Sequence, residues 1–250
     1  MTNAINTLAV IPARYASTRF PAKALALLAA KPIIQHVYER VASSGLFSQT
    51  IVATDHEAIY SAVESFGAKV LMTSAHHQSG SDRIAEAASA IPQAEIIFNV
   101  QGDEPLIDIA SLKALLQAFA APQVQMASLM TPITDHNMLN NPNIVKVVTN
   151  SLQDALYFSR SPIPFNRDND LNITHYRHIG VYAYRRETLF RFISLPQSRL
   201  ELCEKLEQLR ALEAGIPIRM LTTDYQGIGI DTPEDLVAME ALFKTRNPQE

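Results

Sequence analysis

Residues 8–23 read LAVIPARYASTRFPAK, and the reading of the fold starts from them. Five small or apolar residues, Leu8 to Pro12, predict a buried strand, after which the chain opens into a loop carrying Arg14, Arg19 and Lys23. No acidic residue precedes Glu39, so these cations and Lys31 form a run of one sign in a chain of net charge −4. Such a run is an anion trap by composition. Open α/β sheets bind phosphorylated ligands beyond the carboxyl ends of their strands, which is where this loop falls. The alternative is an ordinary solvated basic face.

Working outward, Ile33, Ile34, Val37, Tyr38 and Val41 recur at helical spacing, and Gly45 closes that element. Thr50 to Ala53 predicts a second strand, and Thr54-Asp55 reads as the cap of a helix that turns Ile59, Ala62, Val63 and Phe66 inward. Lys69 to Met72 is a third strand, HHQSGSDR a loop, Ile84 to Ile91 a helix, and Ile96 to Val100 a strongly apolar strand ending in QGDEP. Repeated strand-helix units of this length predict a mostly parallel sheet covered by helices.

From Met126 the rhythm changes. Met126 to Ile133, Val145 to Thr149, Ala155 to Phe158 and Ile179 to Tyr184 are strand-like with few long helices between them, so antiparallel pairing is expected. Residues 1–250 are read as one domain, with 126–190 forming a smaller strand-rich lobe. Leu202, Leu206, Leu209 and Leu212 mark one amphipathic helix ending at Gly215, before a strand from Ile218 to Leu221. In GIGIDTPE, Thr232 is the expected cap of a last helix and Pro233 its first residue.

Composition bounds the function. With 250 residues, 47% hydrophobic and 18% charged, the chain can bury a full core, and disorder and coiled coils are excluded. The negative net charge argues against nucleic-acid binding. One cysteine, Cys203, excludes an internal disulfide, and its helical setting reads as a packed thiol. No signal-like segment and no run of 18 apolar residues occurs, so a cytoplasmic protein without a membrane partner is expected.

Asp103 leaves a buried strand through Gly102, beside Glu104 and Pro105. A carboxylate there is placed either to hold Mg²⁺ against a triphosphate or to cap a helix. Asp231 carries the same two readings, with Thr232 available to take the cap. No P-loop, dinucleotide fingerprint or nucleophile elbow occurs. By spacing alone, Glu207 and Gln208 read as a solvated helix flank and His178 as a half-buried histidine beside Tyr182. Arg160, where a strand meets a proline turn, reads as a carboxylate binder or a strand cap.

Taken in order, IPARYASTRFPAK, HQSGSDR, NVQGDEP, ALYFSRSPIPF, RHIGVYAYR, EKLEQLRALEAG and IDTPEDL resemble the 3-deoxy-manno-octulosonate cytidylyltransferases, the CMP-Kdo synthetases, over nearly the whole chain. The resemblance implies an α/β fold, a three-layer α/β/α sandwich of the nucleotide-diphosphosugar transferase type, with a mostly parallel mixed sheet and a smaller antiparallel dimerisation lobe. It implies CMP transfer from CTP to an eight-carbon sugar acid, with Mg²⁺, in a homodimer. Arg14 and Lys23 would bind the triphosphate, and Asp103 and Asp231 the metal. Ala13, Ser79 and Arg83 would help hold the nucleotide. Arg19, Gln101, His178, Tyr182, Glu207 and Gln208, with Arg160 for the carboxylate, would meet the sugar acid.

The chain departs from the family pattern at one place, where Ala22 and Ala30 stand for glycines and Ala24 for a proline. If residues 22 and 30 need positive φ, alanine strains the Lys23 loop by roughly 1 kcal/mol. Two rivals remain at this stage. One is transfer to a related acid sugar of 8-amino-Kdo or neuraminic type, and the other is a non-catalytic nucleotide-binding regulator.

Overall fold

The apolar run forms β1 (Thr7–Ala13), in which Leu8, Ala9, Val10 and Ile11 are fully buried. The computed structural model describes residues 5–16, 19–77, 79–168 and 171–246; Ser17, Thr18 and Gln78, inside the quoted motifs, lie outside the described residues. The chain divides into two compact units, residues 1–109 with 227–250 and residues 110–226, and the segment 126–190 falls within the second.

In the first unit β1 is followed by a small hairpin, β2 (Leu27–Leu28) and β3 (Lys31–Pro32), then by α1 (Ile33–Ala42), β4 (Gln49–Thr54), α2 (Glu57–Ser65), β5 (Val70–Met72), α3 (Gly80–Ser89) and β6 (Ile96–Asn99). Strands β6, β1, β4 and β5 lie side by side in that order, each pair parallel. Strand β1 has a neighbour on both edges, with α1 and α3 packed against it. A strand so enclosed needs an unbroken apolar run rather than an alternating one. The chain builds from β1 to β4 to β5 on one side and then places β6 on the other. The order therefore reverses between β1 and β6, and their carboxyl ends flank the crevice where such sheets take ligands.

Two helix starts differ from expectation. The cap of α2 is His56, whose Nδ1 accepts from the Ala58 N–H at 3.2 Å, because Asp55 is turned to Arg83 instead. Helix α3 begins before Ile84: the Ser79 hydroxyl accepts from the Asp82 N–H and the Asp82 carboxylate from the Ser79 N–H, a reciprocal cap.

The second unit opens around α4 (Ile109–Ala118) and holds β7 (Met126–Pro132), β8 (Lys146–Thr149), β9 (Ala155–Ser159) and β10 (Tyr176–Arg185). Pairs β7–β10, β10–β8 and β8–β9 are antiparallel, as the change of rhythm predicts, with a register shift in β10 between Ile179 and Tyr182. After α5 (Arg186–Ser194), the leucine-spaced stretch forms two short helices, α6 (Arg199–Glu204) and α7 (Gln208–Glu213), rather than one. Lys205 between them is left-handed at φ 54°, which breaks the turn and leaves Leu206 and Leu209 buried but Leu202 exposed. Cys203 on α6 is exposed, which corrects the packed-thiol reading. Strand β11 (Ile218–Thr222) then joins β7 in parallel.

Back in the first unit, α8 (Pro233–Arg246) starts as expected. Thr232 Oγ1 accepts from the Asp235 N–H, and the Asp235 carboxylate accepts from the N–H groups of Asp231 and Thr232. The cap is made without the side chain of Asp231.

Ala22 and Ala30 do lie at positive φ, 55° and 62°, and Ala29 between β2 and β3 joins them at 46°. A left-handed alanine costs about 1–2 kcal/mol relative to its right-handed form. Ala30→Gly is accordingly expected to stabilise the fold by about 1 kcal/mol, read as a higher urea midpoint at unchanged slope; a lower midpoint would contradict the strain.

Candidate active site

The loop after β1 folds back on itself, because the Ala22 N–H donates to the Tyr15 carbonyl at 3.0 Å and a short 3-10 turn follows at Lys23–Leu25. This aims Lys23 inward. Its Nζ donates to Asp103 Oδ2 at 2.5 Å and to Asp231 Oδ1 at 2.9 Å, and Arg19 reaches the other oxygen of Asp231 at 3.0 Å.

Three features bring residues so distant in sequence together. The chain leaving β6 crosses directly over the end of β1, where a Cβ on Gly102 would stand 2.8 Å from the Pro12 carbonyl oxygen. Only glycine permits that approach, so Gly102 sets the position of Asp103. The Asp103 carbonyl in turn accepts from the Ile230 N–H at 3.0 Å, which lays residue 231 alongside. Beneath all three segments Leu28, Ile33, Leu106, Ile230 and Met239 form a buried cluster, with Phe20 and Ala26 of the Lys23 loop and Leu236, Leu242 and Phe243 of α8 packed on it. Burial of this apolar surface fixes the loop, the strand end and the last helix to one floor.

The charges stabilise one another. Burial alone would raise the Asp231 pKa, but the hydrogen bond and charge of Lys23, with Arg19, hold it below the usual carboxylate value. Burial alone would lower the Lys23 pKa, and Asp103, then Asp231, outweigh that and raise it.

A cleft of about 540 Å³ opens beside this cluster. Ala13, Arg14, Arg19, Lys23, Ser79, Gln101 and Asp103, all candidates from sequence, line it, together with Gly80 at the amino end of α3. A helix amino terminus and three cations in one lining suit a phosphate chain. Arg83 stands behind the lining: it is buried, donates to Asp55 at 2.6 Å and to the Thr73 hydroxyl, and props the start of α3. The sequence signal for this support is a lone arginine on the apolar face made by Ile84, Ala87 and Ala88.

The donor set suits a hard divalent cation. Asp103 and Asp231 offer carboxylate oxygens converging on one point, and no group of three or more His, Cys, Asp or Glu side chains gathers among the described residues. A small ion that keeps waters and takes phosphate oxygens needs only one or two carboxylates.

In the second unit, His178 and Tyr182 lie on β10 with ring centroids 5.3 Å apart. His178 Nε2 meets the Ser128 hydroxyl at 2.9 Å, and its ring sits edge-on to Phe158. Burial pushes the His178 pKa down to about 3 and that of Tyr182 well up. Glu207 stands at the start of α7, 3.6 Å from Arg210, which is itself forked onto Glu201. Gln208 is buried rather than on a solvated flank. The Arg160 guanidinium donates to the carbonyls of Glu204, Pro142 and Lys205.

Comparison with known proteins gives a consistent set. The family described as Cytidylyltransferase matches residues 8–220. A 3-deoxy-manno-octulosonate cytidylyltransferase of Solibacter usitatus is 52% identical over 95% of this chain and 94% of its own. One of Geobacter sulfurreducens is 53% identical over 93% and 97%. A CMP:2-keto-3-deoxy-manno-octonic acid synthetase solved in complex with CTP superposes with a TM-score of 0.92 at 43% identity, covering 96% of this chain and 99% of that one. A 4-diphosphocytidyl-2C-methyl-D-erythritol synthase of Anaerococcus prevotii, at 14% identity and a TM-score of 0.64, shares the fold alone.

Removing the ammonium leaves only Arg19 to oppose burial at Asp231, so Lys23→Met should carry the Asp231 pKa upward from its depressed value; a carboxyl NMR titration that shows no rise would refute the coupling. For His178 the folded pKa lies below the ordinary 6.5, so the unfolded chain takes the proton first. Its contribution to stability is complete above pH 6.5 and is lost as pH falls from 6.5 towards 3. His178→Gln should therefore lose less stability than the wild type between about pH 7 and about pH 4.5, measured by urea unfolding.

Proposed function

This chain belongs to the cytidylyltransferase family, in the group of the 3-deoxy-manno-octulosonate cytidylyltransferases, and we propose that it transfers CMP from CTP to the anomeric hydroxyl of 3-deoxy-D-manno-octulosonate (Kdo), giving CMP-Kdo and pyrophosphate for lipopolysaccharide biosynthesis. The observation that carries the reading is the convergence of Lys23, Asp103 and Asp231 beside a cationic cleft beyond β1, whose lining includes Lys23 and Asp103.

The hydroxyl oxygen attacks the α-phosphorus in line. A new O–P bond forms, the bond to the bridging oxygen of the β-phosphate breaks, and the electron pair leaves with pyrophosphate. Arg14 and Lys23 bind the triphosphate and offset the charge that grows on the leaving group. Ala13, through its backbone, and Ser79 hold the nucleotide, with Arg83 bracing the loop behind Ser79. Asp103 and Asp231 would hold a divalent cation, Mg²⁺, which when bound would supply neutralisation of phosphate charge and orientation of the nucleophile. Gln101 and Arg19 on the cleft meet the sugar acid. In the second unit, His178, Tyr182, Glu207 and Gln208 are the residues that the family pattern assigns to sugar-acid recognition. Arg160 serves that unit as a clamp on main-chain carbonyls. Positioning and charge do the work, since a hydroxyl beside a carboxylate is a weak nucleophile.

The same reading places the protein in the cytoplasm, where CTP is available; no helix among the described residues is long and apolar enough to cross a membrane. Leu152, Leu156, Phe165 and Leu171 of the second unit expose most of their apolar surface, which supports a homodimer. Purified protein with CTP, Kdo and Mg²⁺ should release pyrophosphate, and release should stop when the metal is chelated. Asp103→Asn should cut turnover about 10³-fold while CTP still binds by calorimetry. Full turnover in that variant would remove the carboxylate from the mechanism.

A further inference from the structure

The ammonium of Lys23 lies between the same two carboxylates that the reading above gives to the metal, 2.5 Å from one and 2.9 Å from the other. An octahedral Mg²⁺ sits about 2.0–2.1 Å from its oxygen ligands. A metal bridging these two oxygens would stand where the ammonium now stands, and two cations that close repel strongly. We propose that Lys23 is an exchangeable occupant of the metal position: it holds Asp103 and Asp231 together until the triphosphate of an incoming nucleotide draws it into the cleft, so that the carboxylates take up a divalent cation only together with the nucleotide.

Charge balance supports the exchange. Arg19 and Lys23 together neutralise Asp103 and Asp231, so the paired cluster offers a divalent ion no net attraction. A triphosphate supplies the negative charge that is otherwise lacking, and it is a better counter-ion for an ammonium than a carboxylate already claimed twice. The route is short and local, because Lys23 itself lines the cleft beside Arg14 and Arg19. Its four-carbon stem carries a compact charge that can swing from carboxylate to phosphate by rotamer change.

This inference rests on the metal reading of the preceding subsection, and Mn²⁺ separates the two. Binding of Mn²⁺ to the full chain is followed by electron paramagnetic resonance and water-proton relaxation. Without nucleotide, the wild type should bind it at least tenfold more weakly than Lys23→Met, and Lys23→Arg, which keeps the charge, should bind as weakly as the wild type. With CTP, the wild type should form a ternary complex with the relaxation enhancement of an immobilised ion. Equal affinities for the wild type and Lys23→Met without nucleotide would overturn the exchange and leave the metal site standing. So would Lys23→Arg binding as tightly as Lys23→Met. Should Lys23→Met fail to fold, the wild type alone decides: Mn²⁺ held as tightly without CTP as with it overturns the exchange. Absence of any ternary complex would remove the metal reading and the exchange with it.

Discussion

One ammonium set against two carboxylates far apart in the chain, Asp103 and Asp231, is the constraint that the first unit is built to satisfy. A half-buried charge cluster of this kind contributes little net stability, because desolvation offsets most of the attraction, while loss of one partner strands the others. Its geometry therefore has to be imposed by neutral structure. The glycine over Pro12, the backbone bond from Ile230 to Asp103 and the apolar floor beneath them impose it. The reciprocal cap of α8 contributes by leaving the Asp231 side chain unused for capping.

The second unit handles charge in the opposite way. Lys146 is fully buried and donates to the main-chain carbonyls of Asn141, Ile144 and Arg160, while Arg160 donates to three more. Cations used on carbonyl oxygens act as cross-links between loops. His178 belongs to the same economy of neutral contacts, since its surroundings keep it uncharged. A neutral imidazole has one donor and one acceptor nitrogen, and one of the two, Nε2, meets the Ser128 hydroxyl.

Much of this was legible before any coordinates. The buried strand at Leu8, the change to antiparallel pairing and the cap at Thr232 follow from local rules of period and capping, whereas the left-handed backbone at residues 22 and 30 is suggested only by the glycines that the family pattern has there. What escaped those rules depended on partners remote in sequence. Asp55 looks like a cap until Arg83 claims it, and the leucine spacing across residues 202–212 does not register a single left-handed Lys205. Cys203 is exposed because that break rotates α6 away from the face that Leu206 and Leu209 bury. The third left-handed alanine, Ala29, carries no motif of its own and is revealed only by the hairpin it turns. Glu207 and Gln208 show the converse, since family pattern rather than spacing marks them.

The first unit is discontinuous, and this has a consequence for the order in which its parts come into being. Lys23 and Asp103 are synthesised well before Asp231, with the whole of residues 110–226 translated between them and the final helix. At about 5–20 residues per second, Asp231 emerges some 6–25 s after Asp103. During that interval the nascent chain has one carboxylate and no apolar lid from α8. The charge cluster is therefore completed only after the whole of the second unit has been translated, and a chain that stops within residues 110–226 retains much of the first unit's scaffold without Asp231.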